Sequence, residues 1–81
     1  MTPYKSKSGK ESGVEAYEIG TDFIKVLFKG WVYHYTYGSA GQFDIEEMKS
    51  RATDGKGLST YISQHDPPYE TKYPYYPRQV A

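Results

Sequence analysis

The fold is decided by residues 23–37, FIKVLFKGWVYHYTY, in which large side chains recur at every second position. Side chains alternate between the two faces of a β-strand, so residues two apart lie on the same side. Lys29-Gly30 is predicted to form a two-residue turn, which makes this stretch a β-hairpin. Three cross-strand pairs then share one face: Phe28 with Trp31, Val26 with Tyr33, and Ile24 with Tyr35.

The aromatic side chains of the second arm are predicted to be core residues. Sheet-borne aromatic rings can also stack nucleobases, which is the alternative interpretation. Trp31, Tyr33 and Tyr35 nevertheless share their face with aliphatic residues that so small a domain must bury in order to fold. We therefore expect helices to cover all three rings and Tyr37, at the outer end of the strand, to remain exposed.

Size and composition limit the classes of protein to consider. The chain has 81 residues, ten Lys plus Arg, ten Asp plus Glu, ten tyrosines and no cysteine. So short a chain forms one domain with a thin core and has no disulfide or thiolate-based zinc site. Its balanced charge argues against nucleic-acid binding, which usually requires a basic excess. No stretch is apolar enough to span a bilayer or to act as a signal peptide, so a cytoplasmic protein without membrane contact is expected.

A first strand is predicted over residues 14–19, VEAYEI, just before the hairpin. Its inward face consists either of Val14 and Ala16 or of Tyr17 and Ile19, because a change of one residue in the following loop reverses the two faces of the strand. Together with the hairpin, this segment predicts an antiparallel three-stranded meander.

A helix is predicted to begin at Asp44, whose carboxylate can cap the free backbone N–H groups. Glu47, three residues later, completes the pattern of a capping box. Phe43 before the cap and Met48 in the helix fit a hydrophobic staple. The start of this helix is therefore strongly marked in the sequence.

Two helical faces follow from the spacing of apolar residues. The first helix should bury Ile45, Met48 and Ala52 and end at Gly55. A second short helix should follow Gly57 and stop at Asp66, because a residue before proline avoids helical angles. Its inward positions are Leu58, Tyr61, Ile62 and His65.

These elements predict an α+β fold, a three-stranded antiparallel meander with two short helices packed on one face and with flexible termini. Residues 1–12 are interpreted as a flexible basic arm, residues 13–66 as the folded domain and residues 67–81 as a Pro/Tyr-rich tail. The tail should be extended or disordered unless its rings dock on the domain.

The chain resembles KTSC domains, small modules named after an occurrence at the C-terminus of lysyl-tRNA synthetases and also found alone in bacterial and phage proteins. The resemblance covers roughly residues 12–69. It implies a compact α+β module and no particular activity, although the association with synthetases suggests nucleic-acid binding. The residues that carry it are Ile24-x-Val26-x-Phe28, Gly30, Tyr33-x-Tyr35, Met48, Ala52, Gly55-x-Gly57-Leu58 and Tyr61-Ile62.

The hairpin face opposite the aromatic rings is the candidate protein-contact surface. In a single-layer sheet this side faces water, so Phe23, Leu27 and Val32 should form an apolar patch beside His34. Apolar patches of this kind mark contact with a partner protein or self-association. The alternative is that tail tyrosines, such as Tyr69 and Tyr73, lie across the patch.

Nucleic-acid binding is the alternative function. It would use positively charged and exposed aromatic side chains of the sheet, with help from lysines of the arm. The candidate contacts on the sheet are Lys25, Lys29 and Tyr37, and those in the arm are Lys5, Lys7 and Lys10.

Catalytic and metal-binding patterns are weak in this sequence. His34 and His65 are far apart and lack the spacing of metal ligands. An acid/base site needs groups that converge in a sheltered pocket, and none is predicted around either histidine or Asp66. The sequence therefore predicts no catalytic residue, metal site or cofactor, and favours a non-catalytic protein-interaction or accessory module with an unidentified protein partner.

Overall fold

A five-stranded antiparallel sheet is the framework of the computed structural model, which describes residues 1–5 and 13–75. The strands are hydrogen-bonded in the order of the sequence, so each neighbour in the chain is also a neighbour in the sheet. Within the described residues the strands are β1 Thr2–Pro3, β2 Val14–Ile19, β3 Phe23–Phe28, β4 Trp31–Thr36 and β5 Thr71–Pro74. The helices are α1 Tyr37–Ala40, α2 Gln42–Asp54 and α3 Leu58–His65.

The predicted hairpin between β3 and β4 is confirmed in its register. Lys29 and Gly30 both have positive φ angles, 52° and 85°, as a type I′ turn requires. Such a turn matches the twist of the flanking strands and so fixes which residues face each other. The pairs are Phe28 with Trp31, Val26 with Tyr33, and Ile24 with Tyr35.

A β-bulge in β2 explains why neither prediction for the faces of this strand was complete. The pairing with β3 shifts between Val14 and Ala16, which inserts one extra residue into β2. Val14 and Tyr17 consequently both pack on the side of the helices. Ala16 instead packs beside Leu27 on the opposite side of the sheet.

The prediction of three strands is wrong, because both end segments supply a further strand. β1 pairs with β2, and β5 pairs with β4. Tyr4, which follows β1, is buried in the core. The remaining parts of the predicted arm and tail, residues 6–12 and 76–81, lie outside the described residues.

The start of α2 differs from the prediction. The helix begins at Gln42, and Gly41 precedes it without a side-chain cap. Asp44 is therefore inside the first turn rather than at the cap, and the predicted staple is absent because the side chain of Phe43 is 78% exposed. A capping box does occur one helix earlier, where Thr36 and Ser39 bond reciprocally at the start of α1.

The main core lies between the sheet and the helices α2 and α3. The predicted inward residues of α2, Ile45, Met48 and Ala52, are confirmed, as is the left-handed Gly55 at the end of that helix. In α3, Leu58 and Tyr61 are buried and Asp66 ends the helix as predicted. The buried residues of this core are Tyr4, Val14, Ile24, Val26, Tyr35, Ile45, Met48, Ala52, Leu58 and Tyr61.

None of the helices in residues 1–5 and 13–75 has the length and apolar character needed to cross a membrane.

Candidate functional site

The helix side of the sheet is only partly covered. Tyr35 is buried in the core and Tyr33 is half-buried, but the side chain of Trp31 is 41% exposed. The prediction that all three rings are buried is therefore wrong for Trp31. The helices pack over the end of the hairpin that carries Ile24 and Tyr35, and Trp31 lies beside the turn at the other end.

A cleft of about 190 Å³ opens where the helical cover ends. The sheet, helix α3 and the loop after α3 all line this cleft. Strands β3 and β4 contribute Val26, Phe28, Tyr33 and Tyr35, whereas α3 and the loop after it contribute Ile62, Asp66, Pro67 and Tyr69.

Three tyrosine rings give this cleft its geometry. The rings of Tyr33 and Tyr35 are nearly parallel, with centroids 6.3 Å apart and an interplanar angle of 16°. The ring of Tyr69 stands across both, at 5.2 Å and 80° from Tyr33 and at 6.3 Å and 85° from Tyr35. Tyr69 is also 46% exposed, so part of the aromatic lining is open to solvent.

The loop that carries Asp66 and Tyr69 is held at both of its ends. Asp66 adopts a left-handed conformation with φ of 43°, and its N–H donates to the carbonyl of Ile62 at 2.8 Å. Pro67 is buried. The N–H of Glu70 then donates to the carbonyl of His34 at 2.7 Å, which returns the chain to the sheet. This loop therefore places Tyr69 against the rings of β4.

Opposite charges lie at different parts of the site. Among the described residues that line the cleft, Asp66 alone carries a charge. Burial, followed by the neighbouring Tyr33, Asp66 and Tyr69, raises the pKa of Tyr35 to about 12, so its hydroxyl stays protonated at neutral pH. Outside the cleft, the ammonium of Lys72 lies 5.1 Å from the ring centroid of Trp31 and 5.4 Å from that of Tyr33.

The predicted apolar patch on the other face of the sheet is not open to solvent. Leu27 and Val32 are buried together with Ala16, and Tyr75 packs against them. The expectation that this face is exposed at Leu27 and Val32 is therefore wrong. Of the two interpretations given by the sequence, a covering tyrosine of the tail is correct.

Of the two tyrosines named for that cover, Tyr69 instead lines the cleft on the helix side. Tyr73 pairs with Val32 in the register of the sheet and so lies beside the patch, with 41% of its side chain exposed. The other two members of the predicted patch, Phe23 and His34, are half-buried, with their rings edge to face at 5.1 Å.

The predicted nucleic-acid contacts do not form one surface. Lys25 pairs with His34 in the register of the sheet, on the face away from the helices. Lys29 lies in the turn, with its ammonium 5.5 Å from the ring centroid of Phe28. Tyr37 lies just beyond the opposite end of β4, roughly 20 Å from the turn at about 3.3 Å per residue. It is half-buried against the main core, so the prediction that it remains exposed is wrong. Its hydroxyl donates to Glu46 at 2.6 Å. Lys5 is exposed, and the other two lysines of the arm are outside the described residues.

The two histidines lie on different sides of the sheet. His34 packs against Phe23, and its Nε2 atom is buried with no hydrogen-bond partner in the part of the chain that the structure describes. His65 stacks on the ring of Tyr61 at the end of α3, with centroids 4.2 Å apart. Across residues 1–5 and 13–75, no group of three or more His, Cys, Asp or Glu is placed to hold a metal ion.

The cleft residues of α3 and its loop were missed by sequence reasoning. Ile62 and Asp66 have the i, i+4 spacing of one helical face, and Pro67-Pro68 forces the chain to leave the helix beside them. Those signals predict a turn here. They do not show that Tyr69 meets Tyr33 and Tyr35.

No protein-family model, curated protein or solved structure matches this chain. The resemblance to KTSC domains remains a prediction.

Proposed function

We propose that this chain is a non-catalytic protein-interaction module that receives a projecting side chain of its partner in the aromatic cleft. The observation that carries the proposal is the position of two exposed rings. Trp31 lies at the end of the hairpin that the helices leave uncovered, and Tyr69 lines the cleft itself. Large aromatic side chains are concentrated at the centres of protein interfaces, where they provide much of the binding energy.

The size of the cleft favours one side chain over a whole metabolite. Its volume is about 190 Å³, whereas sites for small molecules typically measure about 300–1,000 Å³. The lining consists mainly of apolar and aromatic groups, and the loop from Asp66 to Tyr69 is fixed at both ends by backbone hydrogen bonds. A preformed cleft of this kind loses little conformational entropy on binding.

Two further observations support a protein partner. The net charge is zero, so the chain has no general attraction for phosphate groups. The histidines lie apart, and neither is among the residues that line the cleft. We therefore place binding rather than acid/base chemistry at this site.

A displayed library of random peptides, selected on the immobilised chain, tests this proposal. We expect enriched peptides to lose affinity at least about tenfold for Trp31→Ala or Tyr69→Ala, as interface aromatic residues commonly do. Phe43→Ala is the matched control, because this ring is exposed on α2 and does not line the cleft. Peptides that bind all three variants equally would place the interaction elsewhere.

Nucleic-acid binding is the second candidate function, and one observation favours it. Lys29 and Lys72 hold their ammonium groups over Phe28, Trp31 and Tyr33, which gives a short strip of alternating charge and aromatic rings. Bases can stack on such rings while lysines contact the phosphates. Titration with single-stranded DNA and RNA should then give an affinity that falls with salt and with Lys72→Gln, whereas a salt-independent or absent response rejects this candidate.

A further inference from the structure

We propose that the side chain received by the cleft carries an alkylated ammonium head, as in a methylated lysine of a partner protein. This inference rests on the proposed function and specifies its ligand. It follows from the ring arrangement, from the single carboxylate of the lining and from the apolar character of the remaining wall.

The rings offer faces in two directions. Tyr33 and Tyr35 are nearly parallel, and Tyr69 stands almost perpendicular to both, at 80° and 85°. The face of an aromatic ring carries partial negative charge and attracts a cation within about 6 Å of its centroid. Because the rings differ in orientation, a cationic head in the cleft can contact more than one ring, at the faces that no neighbouring ring edge covers.

One ring of the cleft already contacts an ammonium group in this protein. The Nζ atom of Lys72 lies 5.4 Å from the centroid of Tyr33 and 5.1 Å from that of Trp31. Lys72 does not itself line the cleft, so the volume enclosed with Tyr35 and Tyr69 remains open to a ligand. The face of Tyr33 thus suits a positive charge.

The carboxylate of Asp66 gives the cleft the complementary charge. Asp66 lines the cleft together with Tyr35 and Tyr69, and no other described lining residue is charged. A bound cation would therefore meet one negative charge and no positive charge within the lining. The raised pKa of Tyr35 agrees with this arrangement, because Asp66 contributes to it after burial and Tyr33.

Methyl groups on the ammonium suit the rest of the lining. A primary ammonium has three N–H donors and loses much hydration energy when they are buried without acceptors. Val26, Ile62 and Pro67 provide apolar surface to the cleft and no side-chain acceptor. A methylated ammonium spreads its charge over groups that can contact both this surface and the ring faces.

Two small probes that differ in one atom test the inference on the 81-residue chain. The first is N-acetyl-trimethyllysine methylamide, and the second is its neutral analogue with carbon in place of the ammonium nitrogen. In an NMR titration we expect the charged probe to shift the ring signals of Tyr33, Tyr35 and Tyr69. The neutral analogue should bind at least about fivefold more weakly, since it lacks the attraction to rings and carboxylate.

A pair of charge-matched variants isolates the carboxylate. Asp66→Asn keeps the shape of the side chain, and asparagine tolerates the left-handed backbone at this position. This substitution should weaken binding of the charged probe about fivefold and leave the affinity for the neutral analogue unchanged. Glu18→Gln removes one negative charge from the other face of the sheet, where Glu18 pairs with Lys25, and should change neither affinity.

The outcomes separate this inference from the proposed function. The inference of a cationic ligand is overturned if the two probes bind equally well. It is also overturned if Asp66→Asn retains full affinity for the charged probe. Either result leaves an apolar side chain as the ligand of the cleft. The inference also fails if library peptides occupy the cleft and compete with neither probe. If no peptide and no probe reaches the cleft, both proposals fail.

Discussion

The hydroxyl of Tyr61 on α3 donates a hydrogen bond of 2.5 Å to Asp44 Oδ1 on α2. Residues 17 positions apart are thereby joined across the two helices that cover the sheet. The guanidinium of Arg51 adds a second contact, 4.9 Å from the centroid of the same ring. Asp44 thus ties one helix to the other instead of capping its own.

Replacement of Asp44 by alanine should lower the free energy of unfolding by about 1.5–3 kcal/mol, the usual range for a hydrogen bond to a charged group. Chemical denaturation of Asp44→Ala and Tyr61→Phe, alone and combined, measures the effect. Because the two changes remove the same bond, their costs should not add. Phe43→Ala in the same helical turn is the control, and this exposed residue should cost less than about 0.5 kcal/mol. Additive costs would show that the two side chains act independently.

Stability should decrease at high pH because two tyrosines are harder to ionise in the folded chain. Burial, followed by neighbouring groups including Asp66 for Tyr35 and Asp44 for Tyr61, raises both pKa values from 10.0 to about 12. The unfolded chain then loses these protons near pH 10 and the folded chain near pH 12. The free energy of unfolding should therefore be insensitive to these groups below pH 10 and fall between pH 10 and pH 12.

Denaturation at a series of pH values, with tyrosinate followed by its ultraviolet absorbance, checks this expectation. Tyr61→Phe removes one of the two groups, so its stability should fall less steeply over the same interval. A wild-type free energy of unfolding that stays constant up to pH 12 would contradict the burial of these hydroxyls.

Two isoleucines that pair across β2 and β3 test how far the helices cover the sheet. Ile19 and Ile24 are paired on the helix side, but the first is 42% exposed and the second is completely buried. Ile24→Ala should cost about 2–5 kcal/mol through loss of apolar contacts and formation of a cavity. Ile19→Ala should cost less than about 1 kcal/mol. Equal losses in thermal unfolding would mean that the helices cover the sheet differently.

The last described residue, Tyr75, should stabilise the domain through the second face of the sheet. Its ring packs against the cluster that contains Leu27 and Val32, and its N–H donates to the carbonyl of Gly30 at 2.9 Å. Tyr75→Ser should expose this cluster, lower the free energy of unfolding by about 1–3 kcal/mol and promote self-association. Tyr73→Ser in β5 should cause less of both, because the side chain of Tyr73 lies beside Val32 but is 41% exposed. Sedimentation and denaturation that fail to distinguish the two variants would rule out the role of Tyr75.

Short-range patterns predicted the middle of this fold well. The register of the hairpin follows from the parity of its large residues and from Lys29-Gly30, and both signals lie within 15 residues of one another. The inward residues of α2, and Leu58 and Tyr61 of α3, follow from helical spacing in the same way, whereas His65, predicted to face inward, is exposed. These features depend on residues that are close in the sequence, so the spacing of residue types is enough to predict them.

Long-range contacts could not be predicted in the same way. β1 has two residues and β5 contains Pro74, so neither shows a clear alternation of apolar and polar residues. The meeting of Tyr69 with Tyr33 and the bond of Asp44 to Tyr61 depend on how separate elements pack. The exposure of Trp31 has the same origin, because it depends on where the helices stop above the sheet.

Intermolecular nuclear Overhauser effects from a library-selected peptide bound to the 81-residue chain test the central claim most directly. We predict contacts from one peptide side chain to the rings of Tyr33, Tyr35 and Tyr69, with Trp31 at the edge of the interface. Contacts confined to Phe43 on α2, or to Phe23 and His34 on the other face of the sheet, would contradict a binding site in the aromatic cleft.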